Sequence, residues 1–154
     1  MDRIDARILA LLQQDGRASA ADIGEQIGLS VSATHRRIKL MEDSGVIERY
    51  AAVLNRRALG YTTDFYVEIA LQSQSEETLD AFEAAVGRSP DILECHLLTG
   101  GFDYLLRIST SGPEDYERLH RQVLATLPGV MRMQSSLVLR TVRPWRGYRV
   151  APDA

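Results

Sequence analysis

Two short helical stretches separated by only about four residues constrain this chain more than any other feature, because that joint is the signature of a helix-turn-helix. Ser19 can cap the first of them, which runs through Gln26 with Ile23 and Ile27 four apart on one face. Gly28 ends it, since a glycine just past a helix takes the left-handed conformation at little cost. Ser30 or Ser32 then caps a third helix that runs to about Asp43 and is closed by Gly45. Upstream, Asp2–Gln14 carries Ile4, Ile8, Leu9 and Leu12 at helical spacing, with Gly16 as its stop. Downstream, Ile47–Asn55 reads as a short β segment, or wing. The expectation for residues 1–54 is therefore a winged helix-turn-helix.

Residues 55–61, with Arg56, Arg57 and Gly60, read as a hinge, because the periodicity changes beyond them. Phe65, Val67, Ile69 and Leu71 alternate as in a half-buried strand. Ser75 opens a helix with Leu79, Phe82 and Val86 on one face, and Pro90 ends that region. Ile92–Thr99 reads as a strand, Gly100-Gly101 as a tight turn, and Tyr104–Ser109 as the hairpin partner. Pro113 starts another helix with Tyr116, Leu119, Val123 and Leu127 on its stripe. Pro128-Gly129 stops that helix, and Val130–Val142 reads as the last strand. The order βαββαβ is that of a ferredoxin-like domain over 62–143, which makes the whole chain α+β. A tail, 144–154, follows.

Composition narrows the function classes. With 45% hydrophobic and 25% charged residues the chain has the make-up of a globular protein. No apolar run reaches the roughly 20 residues a bilayer requires, and Asp2 and Asp5 stand where a secretory leader would be basic and apolar. A cytoplasmic, nucleoid-associated protein is expected. The single Cys95 can form no internal disulfide and cannot supply a cysteine-type zinc site, and its alternating strand suggests a buried structural thiol. No metal or other cofactor is called for. Net charge is -3, but Ser30–Arg57 holds six basic against three acidic residues. A local basic patch on a mildly acidic protein suits a dedicated DNA reader.

The third helix divides into two faces. Thr34, Arg37, Ile38 and Met41 share one by the i, i+3, i+4, i+7 rule, whereas Ser32, His35, Arg36 and Lys39 share another. The second set is polar or cationic and contains no carboxylate, the mix a major-groove helix needs. Ser30, Ser32, His35, Arg36, Lys39 and Arg49 are the candidate DNA contacts. A merely solvated face is the alternative, as it is for Arg49, Arg56 and Arg57 in the wing and hinge. Arg37, on the inner face, is expected to pair with Asp5 or another carboxylate of the first helix.

The segments IDARILALLQQDGR (4–17), IGLSVSATHRRIKLMEDSGVI (27–47), IERYAAVLN (47–55), LGY (59–61) and ECHLLTGGFDYLLRI (94–108) together resemble the Lrp/AsnC family of amino-acid-responsive regulators. The resemblance spans about residues 2–143. It implies a homodimer whose sheets pack together, assembly of dimers into rings such as a homo-octamer, and paired recognition helices on a pseudo-palindromic double-stranded DNA site. It also implies an amino-acid effector held between dimers near the turn Thr99–Tyr104. The residues of that turn suit such a ligand. Gly100 and Gly101 can present successive backbone N–H groups to a carboxylate, and Asp103 can accept from an ammonium group. Ser135 and Ser136 could add hydroxyls if a neighbouring subunit brings them near. The alternative is an ordinary hairpin turn capped by Asp103. Gly101 places no side chain where relatives often carry a polar one, so effector identity does not carry over.

No G-x-S-x-G, phosphate-binding loop or H-E-x-x-H occurs, and the protein is not expected to be an enzyme. Two rival readings share the fold. One is an enzyme like the sirohaem decarboxylases, which would need histidines converging on a tetrapyrrole; here His35, His96 and His120 are scattered over three elements. The other is an architectural DNA-binding protein with no effector.

Overall fold

Two acidic capping boxes start the chain's first helices. The Asp2 side chain accepts from the backbone N–H groups of Ile4 and Asp5, and Asp5 accepts in return from the Asp2 N–H, which sets α1 at Arg3–Gln14. Ser19 and Asp22 repeat the arrangement at the start of α2, Ala20–Ile27. Ser30, not Ser32, caps α3, Val31–Asp43, by accepting from the Ala33 N–H. The computed structural model describes residues 1–150. Gly28 turns the chain between α2 and α3 with φ +76°, and the Leu29 N–H donates to the Gly24 carbonyl at 2.9 Å. Ile8, Ile23 and Met41 form the buried centre, and Ile4, Leu9, Leu12, Ile27, Ile38 and Ile47 pack around it.

The expected β segment over Ile47–Asn55 is not formed. The Ile47 N–H returns to the Met41 carbonyl, but among the described residues no strand pairs with the segment that follows, so its backbone joins no ladder. Val53 is 99% exposed. A turned segment at Arg56–Gly60 opens the second unit.

That second unit, residues 54–141, is one antiparallel sheet in the order β2-β3-β1-β4. The strands are β1, Thr63–Leu71; β2, Ile92–Leu97; β3, Tyr104–Thr110; and β4, Val130–Leu137. Helices α4, Glu76–Gly87, and α5, Pro113–Gln122, supply the rest of its core. Alternation along β1 and β3 sends Val67, Ile69, Leu71, Tyr104, Leu106 and Ile108 to one face, where Phe82, Val86, Leu119 and Leu124 meet them. This is the ferredoxin-like arrangement that the strand and helix order implied.

Three boundaries differ from expectation. The helix at Pro113 stops at Gln122 instead of reaching Leu127, and a 3₁₀ turn, Leu124–Thr126, replaces its last turn. Leu127 precedes Pro128, which disfavours helical backbone at that residue, and it is extended at φ -63°, ψ 132°. The last strand ends at Leu137, not Val142, because β1 begins at Thr63 and the Val138 N–H takes the last carbonyl, that of Asp64. The strand from Ile92 ends at Leu97. A bond from the Leu98 N–H to the Asp103 carbonyl then closes a four-residue loop, Thr99–Phe102.

Among the described residues, no helix is long and apolar enough to cross a membrane. Positions 151–154 of the tail lie outside the described residues.

Candidate functional site

The polar face of α3 is open to solvent. Ser32, His35, Arg36 and Lys39 are all exposed, while Thr34 and Met41 on the opposite side are buried. Arg37 turns inward as expected: its Nη1 lies 2.7 Å from Asp5 Oδ1 and 2.7 Å from Asp2 Oδ2. Those carboxylates raise the guanidinium pKa further. The Asp5 backbone N–H, and then Arg37, hold the Asp2 carboxyl below its usual range. Two adjacent arginines therefore have opposite surroundings, one fastening α3 to α1 and one left free.

Arg36 takes part in no ion pair among the described residues, and neither does Arg49, which is exposed in the segment after α3. Lys39 lies 2.8 Å from Asp43 one turn along, which raises its pKa. Both partners are more than half exposed, so a phosphate can compete for the ammonium. Ser30 is occupied as the cap of α3, with its hydroxyl 3.3 Å from that of Ser32. His35 and Lys39 border a depression of about 250 Å³ with Leu12, Gly16, Ala20, Glu42 and Tyr50. Sequence reasoning missed Tyr50, which donates to Glu42 Oε1 at 3.0 Å and ties the segment after α3 to that helix. Burial, and then Glu42, raises the Tyr50 pKa.

It also missed Gly24. A β-carbon there would stand 2.7 Å from the Leu29 carbonyl oxygen and 3.0 Å from Thr34 Oγ1. Thr34 is fully buried and donates to the Ser30 carbonyl. The absent side chain thus sets how closely α2 approaches the start of α3. A glycine isolated inside a helical pattern was the available signal.

In the second unit the candidate effector residues are only partly gathered. Thr99, Gly100 and Gly101 are exposed in the loop, with Gly100 at φ +129°. The Arg132 guanidinium lies 4.5 Å over the Phe102 ring, which puts a cation beside the loop that the sequence did not reveal. Asp103 is half-buried, and its oxygens already accept from the Leu71 N–H and from Gln74 Nε2, each at 2.7 Å. Its carboxylate holds the loop against the end of β1. Tyr104 turns away from the loop into the core, where its hydroxyl donates to Glu83 Oε1 at 2.7 Å. Burial, and then Glu83, pushes its pKa well up.

Ser135 pairs with Val67 and Ser136 with Tyr66, so the two serines point to opposite faces of the sheet. Both lie several residues along β4 from the loop end. Within one chain they do not join Thr99–Asp103.

The remaining candidates fall apart as well. His96 pairs with Leu105 on the sheet face away from the core, 3.5 Å from Glu94, whereas His120 stands on α5 with its ring centroid 6.0 Å from Tyr116. Among the described residues no group of three His, Cys, Asp or Glu could hold a metal ion. Cys95 is half-buried, and burial raises its thiol pKa. Arg56 is drawn to Asp64 at 3.4 Å.

Residues 1–48 match a family model described as winged helix-turn-helix DNA-binding, and residues 64–147 match one described as the Lrp/AsnC ligand binding domain. The chain is 49% identical over 117 residues to an uncharacterized HTH-type transcriptional regulator of Sinorhizobium fredii, covering 76% of this chain and 92% of that one. It is 36% identical over 143 residues to the leucine-responsive regulatory protein of Salmonella typhimurium, covering 93% and 87%. A transcriptional regulator of Neisseria meningitidis, solved as a complex with L-methionine, superposes with a TM-score of 0.89 at 30% identity, covering 94% of this chain and 93% of that one.

Proposed function

The chain belongs to the Lrp/AsnC family of transcriptional regulators, and from that premise we propose that it reads a specific DNA site with α3 and changes its binding when a free amino acid occupies its second unit. The observation that carries the first half is the exposed polar set Ser32, His35, Arg36 and Lys39, in which Lys39 meets Asp43 only at the far end of the helix and Arg36 takes part in no ion pair among the described residues. Arg36 reads base edges, Lys39 and Arg49 take phosphates, and Ser30 holds the start of the helix. Binding, not catalysis, is the function, and it is carried out on the chromosome in the cytoplasm.

The effector is an α-amino acid, by analogy with the methionine-bound neisserial regulator. Its carboxylate meets the N–H groups of Thr99, Gly100 and Gly101, with Arg132 adding positive charge. Asp103 holds the loop and has only its second lone pairs left for the ammonium group. The working form is a homodimer or a larger ring, because a second copy is needed to bring Ser135 or Ser136 to the loop. The division into a DNA-binding unit, a hinge at 55–61, a sensing unit over 62–143 and a tail is part of the same reading.

Fluorescence anisotropy with duplex DNA from upstream of the protein's own gene, against a scrambled duplex, tests this. Tighter binding to the native fragment and a shift in affinity with one amino-acid pool are expected. Equal binding to both fragments would refute sequence reading. An affinity that no amino acid alters would favour an effector-independent architectural role.

A further inference from the structure

We propose that residues 143–149 form a second nucleic-acid contact: an arginine–aromatic arm, fixed to the helix-turn-helix unit, that grips the DNA backbone beside the recognition helix. This rests on the first unit being the DNA reader.

The sequence RPWRGYR places Arg143, Arg146 and Arg149 at intervals of three, and no acid occurs from Val138 to Val150. All three arginines are exposed. None takes part in an ion pair among the described residues, whereas Arg37, Lys39, Arg56, Arg107, Arg118 and Arg121 each do. On a chain whose net charge is -3, a run of three such cations is the footprint of a polyanion partner. Two large aromatics stand between them. Trp145 is 74% and Tyr148 79% exposed, and their rings meet edge to face at 4.8 Å. Arginines interleaved with exposed rings can pair with phosphates and lie against sugar and groove walls together.

The arm is attached in a built way. The Tyr148 N–H donates to Gln13 Oε1 at 2.7 Å, and Gln13 Nε2 donates to the Tyr148 carbonyl at 3.0 Å. One side-chain amide thus pairs with the backbone as a neighbouring strand would. Gly147 makes the approach possible: its φ is +89°, and a β-carbon there would overlap the Gln13 amide. Because the backbone does the docking, the side chains of the arm stay free. The anchor lies at the end of α1, whose Leu12 and whose following Gly16 border the same depression as His35 and Lys39. The arm is therefore rooted beside the recognition helix.

Trp145 is the chain's single tryptophan, so its emission reports on the arm alone. Duplex DNA added to the full-length protein should change that emission with the same midpoint as the anisotropy of labelled DNA. In the variant Arg143→Gln/Arg146→Gln/Arg149→Gln, the slope of log K against log salt should become shallower by about 0.9 for each phosphate the arm no longer neutralises. Affinity should fall by a similar factor for native and scrambled duplexes, since backbone contacts carry no sequence information. Gly147→Ala, which keeps every charge, should reproduce part of the loss.

An unchanged salt slope, with Trp145 emission unmoved at saturating DNA, would overturn the arm while leaving the regulator reading intact. A changed molar mass in light scattering at an unchanged slope would also overturn it, by making the segment an assembly contact. A wild-type protein that binds no duplex would overturn both.

Discussion

Gly24→Ala should destabilise the helix-turn-helix, although helix propensity alone predicts the reverse. Alanine is better than glycine by about 0.8–1.0 kcal/mol inside a helix. Here the new methyl would sit 2.7 Å from the Leu29 carbonyl oxygen, where ordinary contact begins near 3.4 Å, so α2 and the turn must part by the difference of 0.7 Å. The turn resists, because the Leu29 N–H is bonded to the Gly24 carbonyl at 2.9 Å. On the other side the methyl meets Thr34 Oγ1 at 3.0 Å, and that hydroxyl is held by the Ser30 carbonyl. Overpacking of this kind costs about 1–3 kcal/mol. Set against the propensity gain, the net loss is about 1 kcal/mol, or roughly 4–8 °C of melting temperature for a unit of this size. Thr34 lies on the first turn of α3, so the displacement also reaches the recognition face, and specific DNA affinity should fall in the fraction that remains folded. Calorimetry and circular dichroism check the first effect, and anisotropy checks the second. Gly87→Ala is the control: it ends α4 with nothing within 4 Å of the added carbon, and should leave the melting temperature equal or higher. A Gly24→Ala protein that melts at or above wild type would refute the close approach and the reasoning built on it.

Arg36→Ala should cost about 1–3 kcal/mol of discrimination between native and scrambled DNA, read as a collapse of their affinity ratio at unchanged melting temperature. Arg37→Ala should lower the melting temperature and largely spare that ratio, because its guanidinium is committed to Asp2 and Asp5. In acid, Asp2 is the group to follow. Folding holds its pKa below the ordinary 3.8, so its stabilisation is complete above that value and is lost as pH falls through the lower folded one. Asp2→Asn should therefore flatten the decline in melting temperature below about pH 4. Asp103→Ala should speed hydrogen exchange at the Leu71 amide and abolish the amino-acid response, while DNA affinity without effector stays near wild type.

Local signals carried most of the fold. Serines before apolar periodic runs placed the starts of α2, α3 and α4, since a cap is a contact between residues three apart and needs nothing from elsewhere. The two faces of α3 were legible for the same reason: helical spacing alone sends Arg37 inward and Arg36 outward. Elements that depend on a distant partner were not. The segment after Ile47 has strand-like residues but no ladder beside it, and the last turn of α5 yields to Pro128. The burial of Tyr104 was readable, because its parity with Leu106 and Ile108 already assigns it to the core face. The bonds from Leu71 and Gln74 to Asp103 join residues about 30 positions apart, a relation no local pattern encodes.

The geometry of the second unit also bears on how a signal could pass through it. Asp103 is already engaged, Tyr104 is buried, and Ser135 and Ser136 lie on opposite sheet faces, pairing with Val67 and Tyr66. From Leu71, at the loop end of β1, to Val67 or Tyr66 is four or five residues, roughly 14–17 Å along a strand. A free amino acid cannot span that distance. A ligand that touches the glycine loop and either serine must therefore touch two copies of the chain. Its binding energy then acts on the contact between copies as well as on the loop. By linkage, assembly and effector affinity would each strengthen the other by the same factor. The effector response would then depend on protein concentration, and a small ligand could alter DNA binding by shifting assembly without rearranging either unit.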